Sequence, residues 1–353
     1  MVTQVVKCPN CKTTMSISGE PGEKIPLTCP ECNQKGMYRI PGQKTSGTQE
    51  IHAATIEVNG LTKTYNHTPA VNNVSFRVTK GEIFGFLGPN GAGKTTTIKS
   101  MLDLIHAESG SITINGIDMK TNGKEAKRYV GYMPEKVAFY DNLTALQNLY
   151  FYAEIKHASK QECIDLIQEL GLGDTGKKRV GKFSKGMVQR LGMARAILGN
   201  PPILILDEPS GGLDPRGVVL IRDKILEMKK KGTTVFVSSH ILTEIQEICD
   251  RVGIINKGVL VAQDTVEGLS KKLNLRPHIT VSLDKMSATI EDSVKKLPGV
   301  DNVQVKGNSL EIICDGAMKA KVILAITNAG GNIQNLQTKE PSLEDVFMRY
   351  TEA

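Results

Sequence analysis

The stretch of sequence that decides the fold is Gly88-Pro89-Asn90-Gly91-Ala92-Gly93-Lys94-Thr95-Thr96. It fits G-x-x-x-x-G-K-[ST] between an apolar run, 82–87, and a run of helical character, 97–102. Glycines let successive N–H groups face one anion, and the following helix adds the positive end of its dipole. We therefore predict a nucleoside triphosphate site, in which Lys94 reaches the β- and γ-phosphates and the Thr95 hydroxyl binds Mg²⁺. A glycine-rich turn with a chance lysine is the alternative, which this context disfavours.

Composition narrows the class of protein. The 353 residues predict two or three domains, and the 40% hydrophobic content is ordinary for a globular chain. The formal net charge of +7 suits a polyanionic nucleotide or proximity to acidic lipids, and it is compatible with weak nucleic-acid binding. No apolar run approaches the roughly 18 residues of a membrane span, and the N-terminus lacks a secretory pattern. We therefore expect a cytoplasmic protein.

Four of the seven cysteines form two C-x-x-C pairs separated by 17 residues. This spacing is typical of a tetrahedral four-thiolate zinc site of the ribbon type. A single iron ion is the alternative, whereas disulfides are disfavoured in a cytoplasmic chain. We expect residues 1–40 to form a zinc ribbon with an interaction or regulatory role, followed by a flexible linker over 41–54. The predicted ligands are Cys8, Cys11, Cys29 and Cys32.

Two further features follow downstream. The apolar run 203–206 ends in Asp207 and Glu208, which we interpret as a Mg²⁺ ligand and the general base that activates the attacking water. Ser184 is predicted to cap a helix that runs to about residue 200. The Ser184 hydroxyl, the first N–H groups and the helix dipole would form a second anion site, unless this is only a capped helix.

Taken together, these motifs resemble those of the ATP-binding cassette (ABC) family over about residues 55–350. Phe183-Ser184-Lys185-Gly186-Met187 stands at the position of the family signature, commonly Leu-Ser-Gly-Gly-Gln. The resemblance implies that two cassettes meet head to tail, so that Ser184 and Gly186 of one chain contact the γ-phosphate held by the other. Lys185 and Met187 depart from the common signature and resemble the form in cassettes of type-2 exporters.

The resemblance also implies roles for other positions. Gly211-Gly212-Leu213-Asp214-Pro215 resembles the D-loop that crosses the dimer seam, so Asp214 is included in the site. His240 resembles the switch histidine that contacts the γ-phosphate, where an N–H stabilises charge or positions the water. Tyr65 resembles the aromatic residue that stacks on adenine, with a turn aromatic as the alternative. Glu135 replaces the usual Q-loop glutamine, and its carboxylate can still coordinate Mg²⁺.

The predicted fold is therefore α/β, a P-loop NTPase of the ABC cassette type. A RecA-like core and a helical subdomain, about 135–200, are expected within residues 55–275. Residues 276–353 are expected to form a small ferredoxin-like α+β domain, because strands and helices follow in the order strand, helix, strand, strand, helix, strand. This C-terminal part carries no catalytic constellation.

The sequence thus predicts the ATP-binding and hydrolysing subunit of an ABC transporter, which uses ATP, Mg²⁺ and Zn²⁺. We expect it to dimerise with itself or a related cassette on ATP binding. It would drive a separate transmembrane permease from the inner face of the cell membrane. The first alternative is a soluble ABC ATPase acting on nucleic acid or ribosomes, although no sequence-specific nucleic-acid binding is expected. The second is a binding-only pseudo-ATPase, which the intact Lys94, Asp207, Glu208 and His240 argue against.

Overall fold

A computed structural model describes residues 2–8, 10–19, 24–39 and 54–351. The chain divides into two units, residues 1–51 and 52–353. Residues 41–53 of the predicted linker lie outside the described residues. Among the described residues, no helix combines the length and the apolar character that crossing a bilayer requires.

The first unit contains two antiparallel β-hairpins, and each hairpin carries one C-x-x-C pair between its strands. This arrangement gives the two cysteine pairs equivalent local surroundings. The strands are β1 (Val2–Lys7), β2 (Thr14–Gly19), β3 (Lys24–Thr28) and β4 (Lys35–Arg39).

The second unit alternates strands and helices along most of its length. Its elements are β5 (Ala54–Tyr65), β6 (Thr68–Thr79), β7 (Ile83–Leu87), α1 (Lys94–Met101), β8 (Ser109–Ile114), β9 (Ile117–Asp118), α2 (Met119–Ala126), β10 (Val130–Met133), α3 (Ala145–Lys156), α4 (Lys160–Glu169), α5 (Lys185–Ile197), β11 (Ile203–Asp207), α6 (Pro215–Lys230), β12 (Thr234–Ser239), α7 (Leu242–Ile248), β13 (Arg251–Asn256), β14 (Val259–Asp264), α8 (Val266–Lys272), β15 (His278–Leu283), α9 (Ala288–Lys295), β16 (Val300–Lys306), β17 (Ser309–Cys314), α10 (Lys319–Asn328), β18 (Ile333–Lys339) and α11 (Leu343–Thr351).

The central sheet has six strands in the order β10-β11-β12-β7-β13-β14. The first five run parallel, and β14 pairs antiparallel with β13. Both faces are covered, which is why its strands are almost continuously apolar. In β7, Ile83 and Leu87 join the core that includes the helices, whereas Phe84 and Phe86 pack with the second sheet, β6-β5-β8-β9.

Four phenylalanines form the centre of the core between these two sheets. Phe76 comes from β6, Phe84 and Phe86 from β7, and Phe236 from β12. Their ring centroids lie 5.4 to 5.9 Å apart, and all four rings are buried. Aromatic pairs at this separation add to the free energy gained from burial alone. The cluster fixes β7 and β12, whose carboxyl ends support the phosphate loop and His240.

Helices α3 and α4 lie between β10 and α5 along the chain, where the helical subdomain is predicted. Each begins at a capping side chain, because the first N–H groups of a helix have no partner inside it. Thr144 and Gln147 form a capping box at the start of α3, and Ser159 Oγ accepts the Glu162 N–H at 3.0 Å.

The C-terminal sheet has four antiparallel strands in the order β16-β17-β15-β18. With α9 and α10 it has a hydrophobic core of its own, and the predicted order of strands and helices is confirmed. The last helix, α11, behaves differently, because Leu343 and Val346 are buried in the main core. Helix α11 therefore packs on the cassette rather than into the C-terminal core.

We predict that Phe236→Ala lowers the free energy of unfolding by about 3–5 kcal/mol, because it removes a ring from the centre of the aromatic cluster. Urea unfolding of the full chain measures this loss. Phe151→Ala is the matched control, since the Phe151 side chain on α3 is 45% exposed. Equal losses for the two variants would show that the cluster does not stabilise the fold in this way.

Candidate nucleotide-binding and catalytic site

The phosphate loop connects β7 to α1, as the sequence predicts, and its glycines are required by close contacts. Gly91 and Gly93 have φ angles of 80° and 107°, which side chains with a Cβ rarely adopt. A Cβ at Gly88 would lie 2.4 Å from the Ile255 carbonyl oxygen, and one at Gly93 would lie 2.4 Å from that of Ala70. The loop can therefore take this shape only with glycine at these positions.

Lys94 is the first residue of α1, and its ammonium group lies inside the loop. The side chain is 6% exposed. Its Nζ donates to the carbonyl oxygens of Gly88 at 2.7 Å and Pro89 at 3.3 Å, and it lies 3.2 Å from Glu208 Oε1. A buried cation is thereby fixed where the backbone N–H groups can also face an anion.

Asp207 ends β11 with a carboxylate that is fully buried. Its Oδ1 accepts the Ser238 hydroxyl at 2.7 Å, whereas its Oδ2 has no hydrogen-bond partner within the described parts of the chain. Burial raises the pKa of Asp207, the charges of Glu135 and Glu208 act in the same direction, and the Ser238 and Thr95 hydroxyls oppose the rise. The site therefore concentrates negative charge around an unpaired oxygen.

This environment suits a hard divalent cation. The same surroundings raise the pKa of Tyr132 to about 12, mainly through burial and secondly through the charge of Asp207. Mg²⁺ prefers oxygen ligands, and an unpaired carboxylate oxygen beside the Thr95 hydroxyl is such a ligand set. Glu135 lines the adjacent cavity. The residues present fit Mg²⁺.

Glu208 follows Asp207 in a conformation that non-glycine residues seldom adopt, with a φ angle of 51°. Its Oε2 lies 2.7 Å from His240 Nδ1. Its buried Oε1 lies near Lys94 but makes no hydrogen bond with any described residue. A buried carboxylate that pairs with Lys94 through Oε1 and contacts His240 through Oε2 is suited to accept a proton from water.

A cavity of about 750 Å³ opens over these groups. The structure brings together most of the predicted phosphate loop, Glu135, Glu208 and His240 on its walls, and Asp207 lies buried next to it. The lining residues are Ala70, Pro89, Asn90, Gly91, Gly93, Lys94, Thr95, Thr96, Glu135, Lys136, Val137, Lys185, Val188, Gln189, Glu208, Gly211, Gly212 and His240.

Besides Gly88, Ala92 and the buried Asp207, four predicted nucleotide-site residues lie outside the lining of this cavity. Ser184 is exposed and caps α5 as predicted, accepting the Met187 N–H at 3.3 Å, and Gly186 follows in the first turn of that helix. Asp214 caps α6. Tyr65 ends β5, is 48% exposed, and lies under Lys63 Nζ at 5.2 Å from its ring centroid.

Two residues of the site were not identified from the sequence. Gln189 Nε2 donates to the carbonyl oxygens of Glu208 at 3.2 Å and Pro209 at 3.1 Å. Ser238 pairs in register with Asp207 and donates to its carboxylate. Each is a polar residue at a buried position, and the sequence offers no signal for that burial because other polar residues occur in the same elements.

The four cysteines of the first unit form a separate cluster. Their sulfurs lie within 4.8 Å of one another, with Cys8 and Cys32 at 3.6 Å and Cys11 and Cys29 at 3.4 Å. A disulfide requires about 2.05 Å. Four sulfurs around one zinc ion, with bonds of about 2.3 Å, would lie about 3.8 Å apart. The donor set and its spacing fit one tetrahedral metal ion.

A parallel sheet with a glycine-rich phosphate loop, a buried lysine and strand-end carboxylates defines a P-loop nucleoside triphosphatase. Residues 71–211 match the family described as ABC transporter, and residues 271–351 match the C-terminal domain of DrrA1-3-like ATP-binding proteins. A bacitracin transport ATP-binding protein from Bacillus licheniformis is 38% identical over 296 residues, covering 83% of this chain and 96% of the relative. The chain therefore belongs to the ATP-binding subunits of ABC transporters.

Other comparisons agree with this assignment. A linearmycin resistance ATP-binding protein from Bacillus subtilis is 32% identical, covering 84% of this chain and 98% of the relative. A solved ATP-binding subunit of an ABC transporter is 32% identical with a TM-score of 0.59, covering 63% of this chain and 94% of that chain. The predicted cassette fold and ATPase activity are confirmed, and the transporter function is supported over the nucleic-acid alternative.

We predict that Lys94→Ala weakens ATP binding by roughly 10- to 100-fold, because it removes a charge-assisted contact to phosphate. Titration with a fluorescent ATP analogue measures the affinity. Lys99→Ala is the control, since Lys99 is an exposed lysine on the same helix. Unchanged affinity of Lys94→Ala would show that the loop does not bind the phosphates as described.

Proposed function

We propose that Glu208 is the general base of an ATPase cycle in which two cassettes enclose ATP and drive an exporter. The observation that carries this proposal is the Glu208 carboxylate, with Oε2 at 2.7 Å from His240 Nδ1 and a buried Oε1 that makes no hydrogen bond with the described residues. Oε1 is the atom left to accept a proton. The phosphate loop that binds the substrate lies on the same cavity wall.

Different residues bind the phosphates, activate the water and hold the metal ion. The loop 88–96 binds the β- and γ-phosphates through N–H groups and Lys94. Glu208 takes a proton from water as the water oxygen attacks the γ-phosphorus, and the bond to the β–γ bridging oxygen breaks to release ADP. Bound Mg²⁺ supplies positive charge to the phosphate oxygens, and its candidate ligands are Thr95, Asp207 and Glu135.

His240 acts beside the base. Its Nδ1 contacts Glu208 Oε2, so that the carboxylate orients the ring, and Nε2 is the nitrogen left to meet the γ-phosphate. Nε2 donates there when both ring nitrogens are protonated. The side chain is 46% exposed and lines the cavity, which supports direct contact with the substrate.

We propose that Ser184, Gly186 and Asp214 act across a dimer seam. What supports this is their position outside the cavity of their own chain, with Ser184 exposed at the N-terminus of α5, a helix of 13 residues. That terminus presents unpaired N–H groups and a positive dipole, which suit a phosphate group of a second chain. Tyr65 is proposed to stack on adenine, since its ring is half exposed at the end of β5.

The proposed partner is a transmembrane permease, which would place the chain on the inner face of the cell membrane. The relatives named for bacitracin transport and linearmycin resistance support an exporter of compounds of the kind that those names state. The proposed domains are a ribbon over 1–40, a linker over 41–54, the cassette over 55–275 with its helical subdomain at about 135–200, and an accessory domain over 276–353.

We further propose that the ribbon binds one Zn²⁺ through Cys8, Cys11, Cys29 and Cys32. Besides the sulfur spacing, burial supports this. Among the side chains described in the first unit, only Cys8 and Cys29 are buried. Two hairpins whose described side chains form no apolar core need another source of folding free energy, which a metal bound to four thiolates provides.

We predict that Glu208→Gln slows hydrolysis about 100-fold or more while ATP binding persists, because the amide cannot act as a base. The variant should accumulate as an ATP-bound dimer, detected by light scattering with Mg-ATP. Ser184→Arg in that background should abolish the dimer. Ser159→Arg, which alters the capping serine of α4, is the matched control and should leave it intact. A monomeric Glu208→Gln chain at saturating ATP would contradict the mechanism.

We predict one Zn²⁺ per chain in protein purified without added metal, measured by elemental analysis. Cys11→Ser should lose the metal, whereas Cys249→Ser should retain it, because Cys249 belongs to the other unit. A metal-free first unit that keeps its hairpins would overturn the proposal, and stoichiometric iron would correct the identity of the metal.

A further inference from the structure

The turn Glu208-Pro209-Ser210-Gly211 presents the proposed base in a strained conformation. Glu208 has a φ angle of 51°, and the turn is closed by the Gly211 N–H, which donates to the Glu208 carbonyl oxygen at 3.1 Å. Such a conformation persists only where neighbouring groups fix it. The side chains that contact this turn therefore decide where the carboxylate points.

Three side chains from different elements contact the turn. Ser238 Oγ accepts the Glu208 N–H at 3.1 Å, and Gln189 donates to two carbonyl oxygens of the turn. Both side chains contact the first two residues of the turn, Glu208 and Pro209. At its far side, the Ser210 hydroxyl donates to Glu244 Oε2, a carboxylate of α7.

The Ser210–Glu244 contact closes a ring of interactions. Glu208 contacts His240 through their side chains, and Glu244 lies four residues after His240. Ser210 in turn lies two residues after Glu208. This closed set of interactions contains one contact in the proposed catalytic site, between Glu208 and His240. The Ser210–Glu244 contact lies outside the site, because neither residue lines the nucleotide cavity.

We propose that Ser210 and Glu244 are positioning residues for ATP hydrolysis. Their hydrogen bond ties the turn that carries Glu208 to the segment that carries His240, and so maintains the contact between the base and the histidine. A hydroxyl bonded to a carboxylate is charge-assisted and strong. Ser210 is also 8% exposed, so that water competes little for the bond. The inference rests on the proposed role of Glu208.

Steady-state ATP hydrolysis by the full chain tests the proposal. Ser210→Ala should lower kcat about tenfold, as the loss of one such bond predicts. The KM for ATP and the unfolding temperature should stay close to those of the unaltered protein. Ser210→Thr, which keeps the hydroxyl, should retain kcat.

The partner variants check that the bond itself is responsible. Glu244→Ala should match the loss of Ser210→Ala, and the double variant should be no slower than either one. Glu247→Ala is the matched control, because Glu247 lies on the same helix and pairs with Arg222 at 2.5 Å instead. It should leave kcat unchanged.

The outcomes separate this proposal from the proposed function. Appreciable hydrolysis by Glu208→Gln would remove the base role and the positioning role together. An inactive Glu208→Gln with Ser210→Ala within twofold of the unaltered protein would overturn the positioning role alone. So would additive losses in the double variant, or a loss confined to ATP affinity or stability. If Ser210→Ala does not fold, Glu244→Ala, which removes the acceptor of the same bond, replaces it; a reduced kcat supports the proposal, and an unchanged one overturns it.

Discussion

The Lys94 ammonium and the Glu208 carboxylate lie 3.2 Å apart beyond the carboxyl ends of β7 and β11, two buried strands that are apolar apart from Asp207. The free-energy cost of removing two charges from water exceeds the attraction between them, unless further hydrogen bonds stabilise the buried charges. Lys94 meets that condition through carbonyl oxygens of Gly88 and Pro89. The shape of the phosphate loop and the burial of the lysine therefore depend on each other.

Asp207 lacks such compensation, because one of its buried oxygens has no partner within the described chain. Together with Glu208 it leaves the site with unbalanced negative charge beside a loop that favours anions. A nucleotide bound together with a divalent cation places phosphate at the loop and positive charge beside the carboxylates. Either one alone leaves like charges facing each other. The charges of Asp207, Glu208 and the phosphate loop thus favour a nucleotide that binds together with a metal ion, in agreement with the family to which the chain belongs.

Local features of the fold could be predicted from the sequence because each depends on neighbours in the chain. The phosphate loop, the caps at Ser184, Thr144 and Ser159, and the succession of strands and helices along the C-terminal segment are of this kind. The order β10-β11-β12-β7-β13-β14 could not be predicted from apolar runs, which look alike in every buried strand. The placement of α11 was missed for the same reason, since its apolar residues do not say which core they join.

The candidate site likewise contains residues that short motifs predict and residues that only the three-dimensional structure reveals. The residues proposed to contact the substrate belong to short motifs, whereas Gln189, Ser210 and Glu244 take part in contacts between positions 19 to 34 residues apart. Such contacts become visible only when strands and helices are placed. They are also the contacts that fix a strained turn, which local sequence alone would not favour.

Helix α7 contacts two parts of the molecule, the turn at Glu208 and α11, that lie more than 130 residues apart in the sequence. Its Glu244 bonds the catalytic turn, and Gln246 Oε1 accepts the Leu343 N–H of α11 at 2.8 Å, across 97 positions of sequence. Because Leu343 is also buried in the main core, α11 cannot leave α7 without exposing apolar surface. The last helix is thus part of the support for the catalytic turn, while the C-terminal sheet before it keeps a separate core. The separate core of the C-terminal sheet therefore lies between two segments that pack in the main core, α8 before it and α11 after it.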